Sequence, residues 1–345
     1  MSSRDTFAPG PTGTEQVLFA QTGQVGRVQL NRPRAINSLT LEMVRGMMAQ
    51  LDEWEGDDEV TAVTLEGAGE KGFCAGGDVV AVRQALLDGD DAMAFWREEY
   101  DLDHRISVYP KPVVAFMDGI VMGGGVGLSA FASLRVVTER TRLAMPETNI
   151  GYFPDVGARL RLAHAPGETG THLALTSAHA SGADALALGL ADVLVNSGQW
   201  GSLVSLLSDG STLDDSIGEH EVPSPLLAQR GWIDEVYAGD DPAAILGRLR
   251  ANDDPDARAA AEAFEARSPL AVAVTLEAVR RAQRSDDLRQ VLDEDLVIDA
   301  HMLSKRSDFA EGVRALLVDK DRSPRWRHAS LAEVPREEVL SFFAE

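Results

Sequence analysis

The sequence predicts a layered α/β fold followed by a mostly helical C-terminal part. Two observations carry the prediction. Up to about residue 205, short β-rich runs alternate with stretches of helical periodicity, the succession that builds a sheet with helices packed on it. Beyond that point strand-like runs cease and helix-opening signals take over, as at Ser268-Pro269, where serine suits the cap and proline the first helical position. The 345 residues, 44% of them hydrophobic, suffice for a sizeable core and exclude a chain disordered throughout.

Taken in order, Val17–Phe19 and Val25–Leu30 form a predicted hairpin about Gln-Thr-Gly-Gln. Leu41, Val44, Met47, Met48, Leu51 and Trp54 recur at helical spacing behind Thr40, a suitable N-cap. Val60–Leu65 reads as a buried strand and leads into a glycine-rich loop, Gly67–Gly77. Helical stretches follow at about residues 79–88 and 91–106, the second ended by Pro110 and Pro112. Val113–Met117 and Arg135–Thr138 are further strands. Ser208–Ser211, Asp214-Asp215 and Asp253-Asp254-Pro255 read as loops or breaks, and residues 268 to about 317 as helical.

The formal net charge of −23 repels nucleic acid and anionic lipid, so neither is an expected partner. It also repels polyanionic nucleotides, so a site for one must rely on local cations, backbone N–H groups or a helix start. Cys74 is the only cysteine, which excludes an intramolecular disulfide and fits a reducing compartment. The seven histidines show no metal-ligand spacing, and no metal is expected. The N-terminus lacks the apolar stretch of a signal peptide, no apolar run is long enough to span a bilayer, and a cytoplasmic location is expected.

Four segments could carry chemistry. Lys71–Asp78 joins a strand to a helix with small residues that permit close backbone approach to a ligand; a tight turn would use the same residues. Met122–Ser129 holds three consecutive glycines at another such junction. It is neither a Walker A nor a dinucleotide fingerprint, and it suits either an oxyanion-binding turn or close helix packing. Met145–Gly157 places two carboxylates, Glu147 and Asp155, in an apolar stretch where burial would raise their pKa values; each could equally be a surface or capping group. Trp96–Tyr100, on a predicted helix, reads by itself as a solvated charged face.

In this order the segments, with Leu30–Asn37 before them, resemble the crotonase (enoyl-CoA hydratase/isomerase) superfamily over about residues 15–200. Within it, Phe73–Asp78, Arg97–Tyr100, Asp118-Gly119 with Met122–Leu128, and Pro146–Thr148 with Phe153–Gly157 are similar to the 3-hydroxyisobutyryl-CoA hydrolase branch. The resemblance implies a crotonase-like spiral of ββα repeats. The expected organisation is a flexible tail at 1–14, an α/β core with the acyl-CoA site at 15–205, and a mostly helical region at 206–345.

It also implies roles. Gly77 and Gly124 would supply the oxyanion-hole N–H groups, and Glu147 the principal catalytic carboxylate. Asp155 would join Glu147 in catalysis. Asp155 and Glu99 would line the acyl pocket, with Asp78 and Arg34 as further substrate contacts. Coenzyme A enters as part of the substrate, and no cofactor is expected. The superfamily commonly forms trimers and hexamers, which leaves a homo-oligomer open.

One departure separates the branches. Hydratases of this family use a second glutamate three residues after the oxyanion glycine, and this chain has Gly127 there. That favours thioester hydrolysis over hydration. A hydratase or isomerase using Asp155 as its second carboxylate is the alternative.

Overall fold

The structure, a computed structural model, describes residues 6–344 except 212, 214–216 and 305–306. The expected loop at Asp214-Asp215 therefore lies outside the described residues. The chain divides into two compact units, each assembled from separated segments. The first comprises Met1–Gly77, Glu98–Leu143 and Ala180–Ser224; the second comprises Asp78–Arg97, Ala144–His179 and Pro225–Glu345.

The strands are β1 (Ala8–Pro9), β2 (Val17–Thr22), β3 (Val25–Leu30), β4 (Ala62–Gly67), β5 (Gly72–Cys74), β6 (Val113–Met117), β7 (Ile120–Met122), β8 (Leu134–Thr138), β9 (Arg142–Ala144), β10 (Ala180–Ser181) and β11 (Val193–Val195). Among the described residues they form a seven-stranded sheet, β1-β2-β3-β4-β6-β8-β11, and a four-stranded one, β10-β9-β7-β5. From β3 to β11 the large sheet is parallel. Three times in succession the chain lays a strand in the large sheet and the next in the small one: β4 then β5, β6 then β7, β8 then β9. Helices Val79–Asp88 and Gly124–Ala130 follow the first two pairs, so the ββα repeat is present.

The expected hairpin is β2–β3, paired from Val17↔Leu30 to Thr22↔Val25. The expected N-terminal tail is partly an edge strand, since Ala8 and Pro9 pair with Phe19 and Leu18. Thr40 caps helix Leu41–Glu55 by accepting from the Met43 N–H at 3.3 Å. Trp54 of that helix lies over β3, where a Cβ on Gly26 would stand 2.8 Å from its ring. Phe116 stacks on Trp200 at 4.3 Å within an apolar cluster that includes Val25, Val136 and Val193. The indole N–H of Trp200 is satisfied by Glu66 at 2.7 Å, so the ring is buried without an orphaned donor.

The second unit is built around helix Pro269–Ala282. Ser268 caps it through the Ala271 N–H at 3.1 Å, and every residue except Arg281 is buried. A helix buried on all faces belongs at the centre of a bundle. The expected break at Asp253-Asp254-Pro255 separates helix Pro242–Ala251 from helix Pro255–Glu265, and it also starts the second one: Asp254 accepts from the Asp256 N–H at 2.8 Å and Pro255 takes the first helical position. Arg159, 1% exposed, donates to Asp295 at 2.5 Å, to Glu294 at 2.8 Å and to two backbone carbonyls, so its buried charge is fully paired. No helix among the described residues is long and apolar enough to cross a membrane.

Candidate active site

The candidate residues form two sets, one within each unit. In the first unit, strand β5 runs into Ala75-Gly76-Gly77, and helix Gly124–Ala130 opens behind Gly123. The two glycine turns lie side by side. A Cβ on Gly76, whose φ is +96°, would sit 3.6 Å from the Gly124 nitrogen, and one on Gly125 would press within 2.6 Å of the Cys74 carbonyl. Gly123 takes φ +49° at the helix entry, a conformation that L side chains avoid. The glycines therefore serve close packing, and Gly124, as the first residue of its helix, has an N–H with no intrahelical acceptor.

Glu99 stands against this turn. A Cβ on Gly124 would overlap Glu99 Oε1 and lie 3.0 Å from Leu39 Cδ1. The helix Met93–Ser107 corrects the reading of its charges as a solvated face: Arg97 is exposed, but Trp96, Glu99, Tyr100 and Asp103 are buried. The signal lay in the spacing, since Phe95, Glu99, Leu102 and Ile106 trace one helical stripe that a carboxylate interrupts. Burial, with the charges of Glu99 and Asp103 added, pushes the Cys74 thiol up to about 12.

The opening motif has a structural use that the sequence did not disclose. Asn37, wholly buried, donates to the carbonyls of Ala68 and Gly72 at 3.0 Å and accepts from the Arg32 N–H at 3.0 Å, anchoring the entry to β5. Arg34 lies exposed on the short turn Pro33–Ala35.

In the second unit, Glu147 begins a single turn, Glu147–Ile150, and is 8% exposed. Its Oε2 is buried with no hydrogen-bond partner. Burial first, and the charge of Asp155 second, hold its carboxyl well above the usual range. Asp155 is 5% exposed and accepts from the Trp96 indole N–H at 2.8 Å. Trp96 stacks on Tyr152, whose hydroxyl donates to the buried Asp299. None of Trp96, Tyr152 or Asp299 was singled out from the sequence as a site residue. Asp78 caps helix Val79–Asp88 by accepting from the Ala81 N–H at 3.3 Å.

Among the described residues no group of three or more His, Cys, Asp or Glu side chains is arranged to hold a metal ion. Paired glycine turns with backbone N–H groups at a helix start suit the binding of a carbonyl oxygen that gains charge. A buried carboxyl with a raised pKa and an idle oxygen suits proton transfer or nucleophilic attack.

These are features of an acyl-transforming α/β enzyme. A family model described as enoyl-CoA hydratase/isomerase matches residues 25–343, and the chain belongs to that family. A mitochondrial 3-hydroxyisobutyryl-CoA hydrolase from Danio rerio is 39% identical, covering 95% of this chain and 89% of the relative. Two solved structures are also similar. A carnitinyl-CoA dehydratase from Mycobacterium thermoresistibile matches with TM-score 0.90 and 47% identity over 96% of this chain and 97% of its own. An enoyl-CoA hydratase from Rhodobacter sphaeroides matches with TM-score 0.91 and 40% identity, over the same shares. The fold is thus of the crotonase type, as the motifs implied.

Proposed function

We propose that the chain hydrolyses 3-hydroxyisobutyryl-CoA to 3-hydroxyisobutyrate and coenzyme A. The observation that carries this reading is Glu147, a buried carboxyl with an unpartnered oxygen beside Asp155. It is supported by the hydrolase named above, which matches nearly the whole chain.

In this reading the Gly77 and Gly124 N–H groups form the oxyanion hole and receive the thioester oxygen as it becomes negative. Losing one such donor costs about 3–4 kcal/mol in the barrier. Glu147 attacks the carbonyl, breaking the C–S bond and giving a mixed anhydride that water then hydrolyses to free acid and carboxylate, or it takes a proton from a water that attacks directly. Asp155 and Glu99 hold the acyl hydroxyl or the water, and Asp78 and Arg34 contact the substrate. Coenzyme A leaves as thiol, and the reaction calls on no further cofactor. A place in valine breakdown and a cytoplasmic location belong to the same proposal; the single buried thiol supports a reducing compartment.

The second reading is addition or removal of water at an enoyl-CoA. It is favoured by what the two similar structures are called. Against it stands Gly127, buried within helix Gly124–Ala130, where a hydratase has its second glutamate. Thiol release and enoyl absorbance, followed in parallel over a panel of CoA thioesters, test the two readings against each other.

A further inference from the structure

Asp155 lies in a turn with little slack. Val156 and Gly157 after it take φ of +52° and +68°, and the Gly157 N–H is tied to Asp295 at 3.0 Å. Backbone restraint alone does not orient a carboxylate, because the side chain can still rotate about two bonds. A directed donor does, and Trp96 supplies one: its Nε1–H reaches Oδ2 of Asp155 at 2.8 Å, with Trp96 3% and Asp155 5% exposed.

The donor is itself held in place. The indole stacks on Tyr152 with ring centroids 5.6 Å apart and planes 29° apart. Phe95 meets it edge-on at 5.7 Å and Phe309 at 6.2 Å. Tyr152 is fixed in turn by its hydroxyl, which donates to Asp299, 0% exposed. A chain of contacts thus runs from Asp299 through Tyr152 and Trp96 to Asp155. Each ring satisfies its polar atom on a carboxylate, so the aromatic cluster is buried without an orphaned N–H or O–H.

We propose that Trp96 is a positioning residue of the reaction, with its indole N–H fixing Oδ2 of Asp155 and with Tyr152, anchored on Asp299, fixing the plane of the indole. The proposal deepens the hydrolase reading and rests on it, through the catalytic role of Asp155. A neutral donor to a buried carboxylate restrains the oxygen that it binds, and with it the plane of the whole group.

The test is steady-state thioester hydrolysis by Trp96→Phe, Tyr152→Phe and Asp155→Asn, each with its melting temperature. Trp96→Phe keeps an aromatic ring on Tyr152 and deletes the N–H. It is expected to lower kcat about 10–100-fold, the range for a hydrogen bond to a charged group, with KM within about 2-fold. Tyr152→Phe keeps its ring and is expected to lower kcat by a few-fold, with little added loss when combined with Trp96→Phe. A Trp96→Phe enzyme with parental kcat beside an impaired Asp155→Asn enzyme overturns the proposal alone. Parental kcat in Asp155→Asn overturns the hydrolase role of Asp155, and the proposal with it. If Trp96→Phe lowers melting temperature and active-enzyme yield but leaves kcat per folded molecule unchanged, Trp96 is only a core residue and the proposal fails.

Discussion

The backbone of Gly124 rests directly against the carboxylate of Glu99, so closely that a Cβ on the glycine would overlap Oε1. Gly124→Ala is therefore expected to destabilise the protein by about 1–3 kcal/mol through overpacking, although alanine keeps the N–H. Glu99→Ala removes the obstructing atoms, so the double variant should recover part of that loss. Urea unfolding of the single and double variants measures both effects. A Gly124→Ala protein as stable as the parent would show that the turn has room to yield.

Glu147 is expected to be indispensable. Glu147→Gln keeps size and hydrogen bonding but cannot act as base or nucleophile, so kcat should fall about 10²–10⁴-fold with CoA-thioester binding retained. Stopped turnover and a direct binding titration separate the two effects, and activity within a few-fold of the parent removes Glu147 from the mechanism.

The same residue predicts a pH dependence. Burial and Asp155 raise the folded-state pKa of Glu147 above its ordinary 4.5. The folded protein thus holds this proton more tightly than the unfolded chain. The stability it contributes is full below about pH 4.5 and is lost as pH rises through the folded pKa. Glutamine does not titrate, so the melting temperature of Glu147→Gln relative to the parent should climb with pH across that window. A difference that stays flat or falls would contradict the raised pKa.

With 3-hydroxyisobutyryl-CoA the enzyme should release thiol, and with crotonyl-CoA it should add water slowly. Gly127 offers no proton, and a missing general acid costs typically 10²–10⁴-fold. Efficient hydration of crotonyl-CoA with no thiol released from any hydroxyacyl-CoA would transfer the chain to the hydratase reading and leave its family unchanged.

Arg159 and Asp295 form a buried ion pair, 1% and 0% exposed. Arg159→Met should cost about 3–5 kcal/mol, because it strands a buried carboxylate, whereas Arg159→Met with Asp295→Leu should recover much of the loss. Denaturant midpoints of the two variants decide it: equal losses would mean that the arginine contributes packing rather than charge.

Much of the fold was legible because its signals are local. Thr40 and Ser268-Pro269 announce their helices by cap chemistry, and the β2–β3 hairpin shows in two β-rich runs about a glycine. The ordered motifs were enough to place the chain in its family. Strands β5, β7 and β9 were missed because three residues carry too little periodicity to register. Helices Ala158–Ala163, Thr169–Thr176 and Gly182–Ala187 escaped for a similar reason, being short and buried on most faces.

The sequence by itself determined which residue types were at hand: the glycine turns, the Glu147 and Asp155 carboxylates, and the absence of a glutamate at Gly127. Only the tertiary structure decided what each of them meets. Burial and hydrogen bonding depend on partners distant in the chain, which no local pattern encodes. Thus Glu99 turned from a solvated charge into a buried group against Gly124, Asn37 became the anchor of β5, and Trp96, read as part of a charged face, became the donor to Asp155.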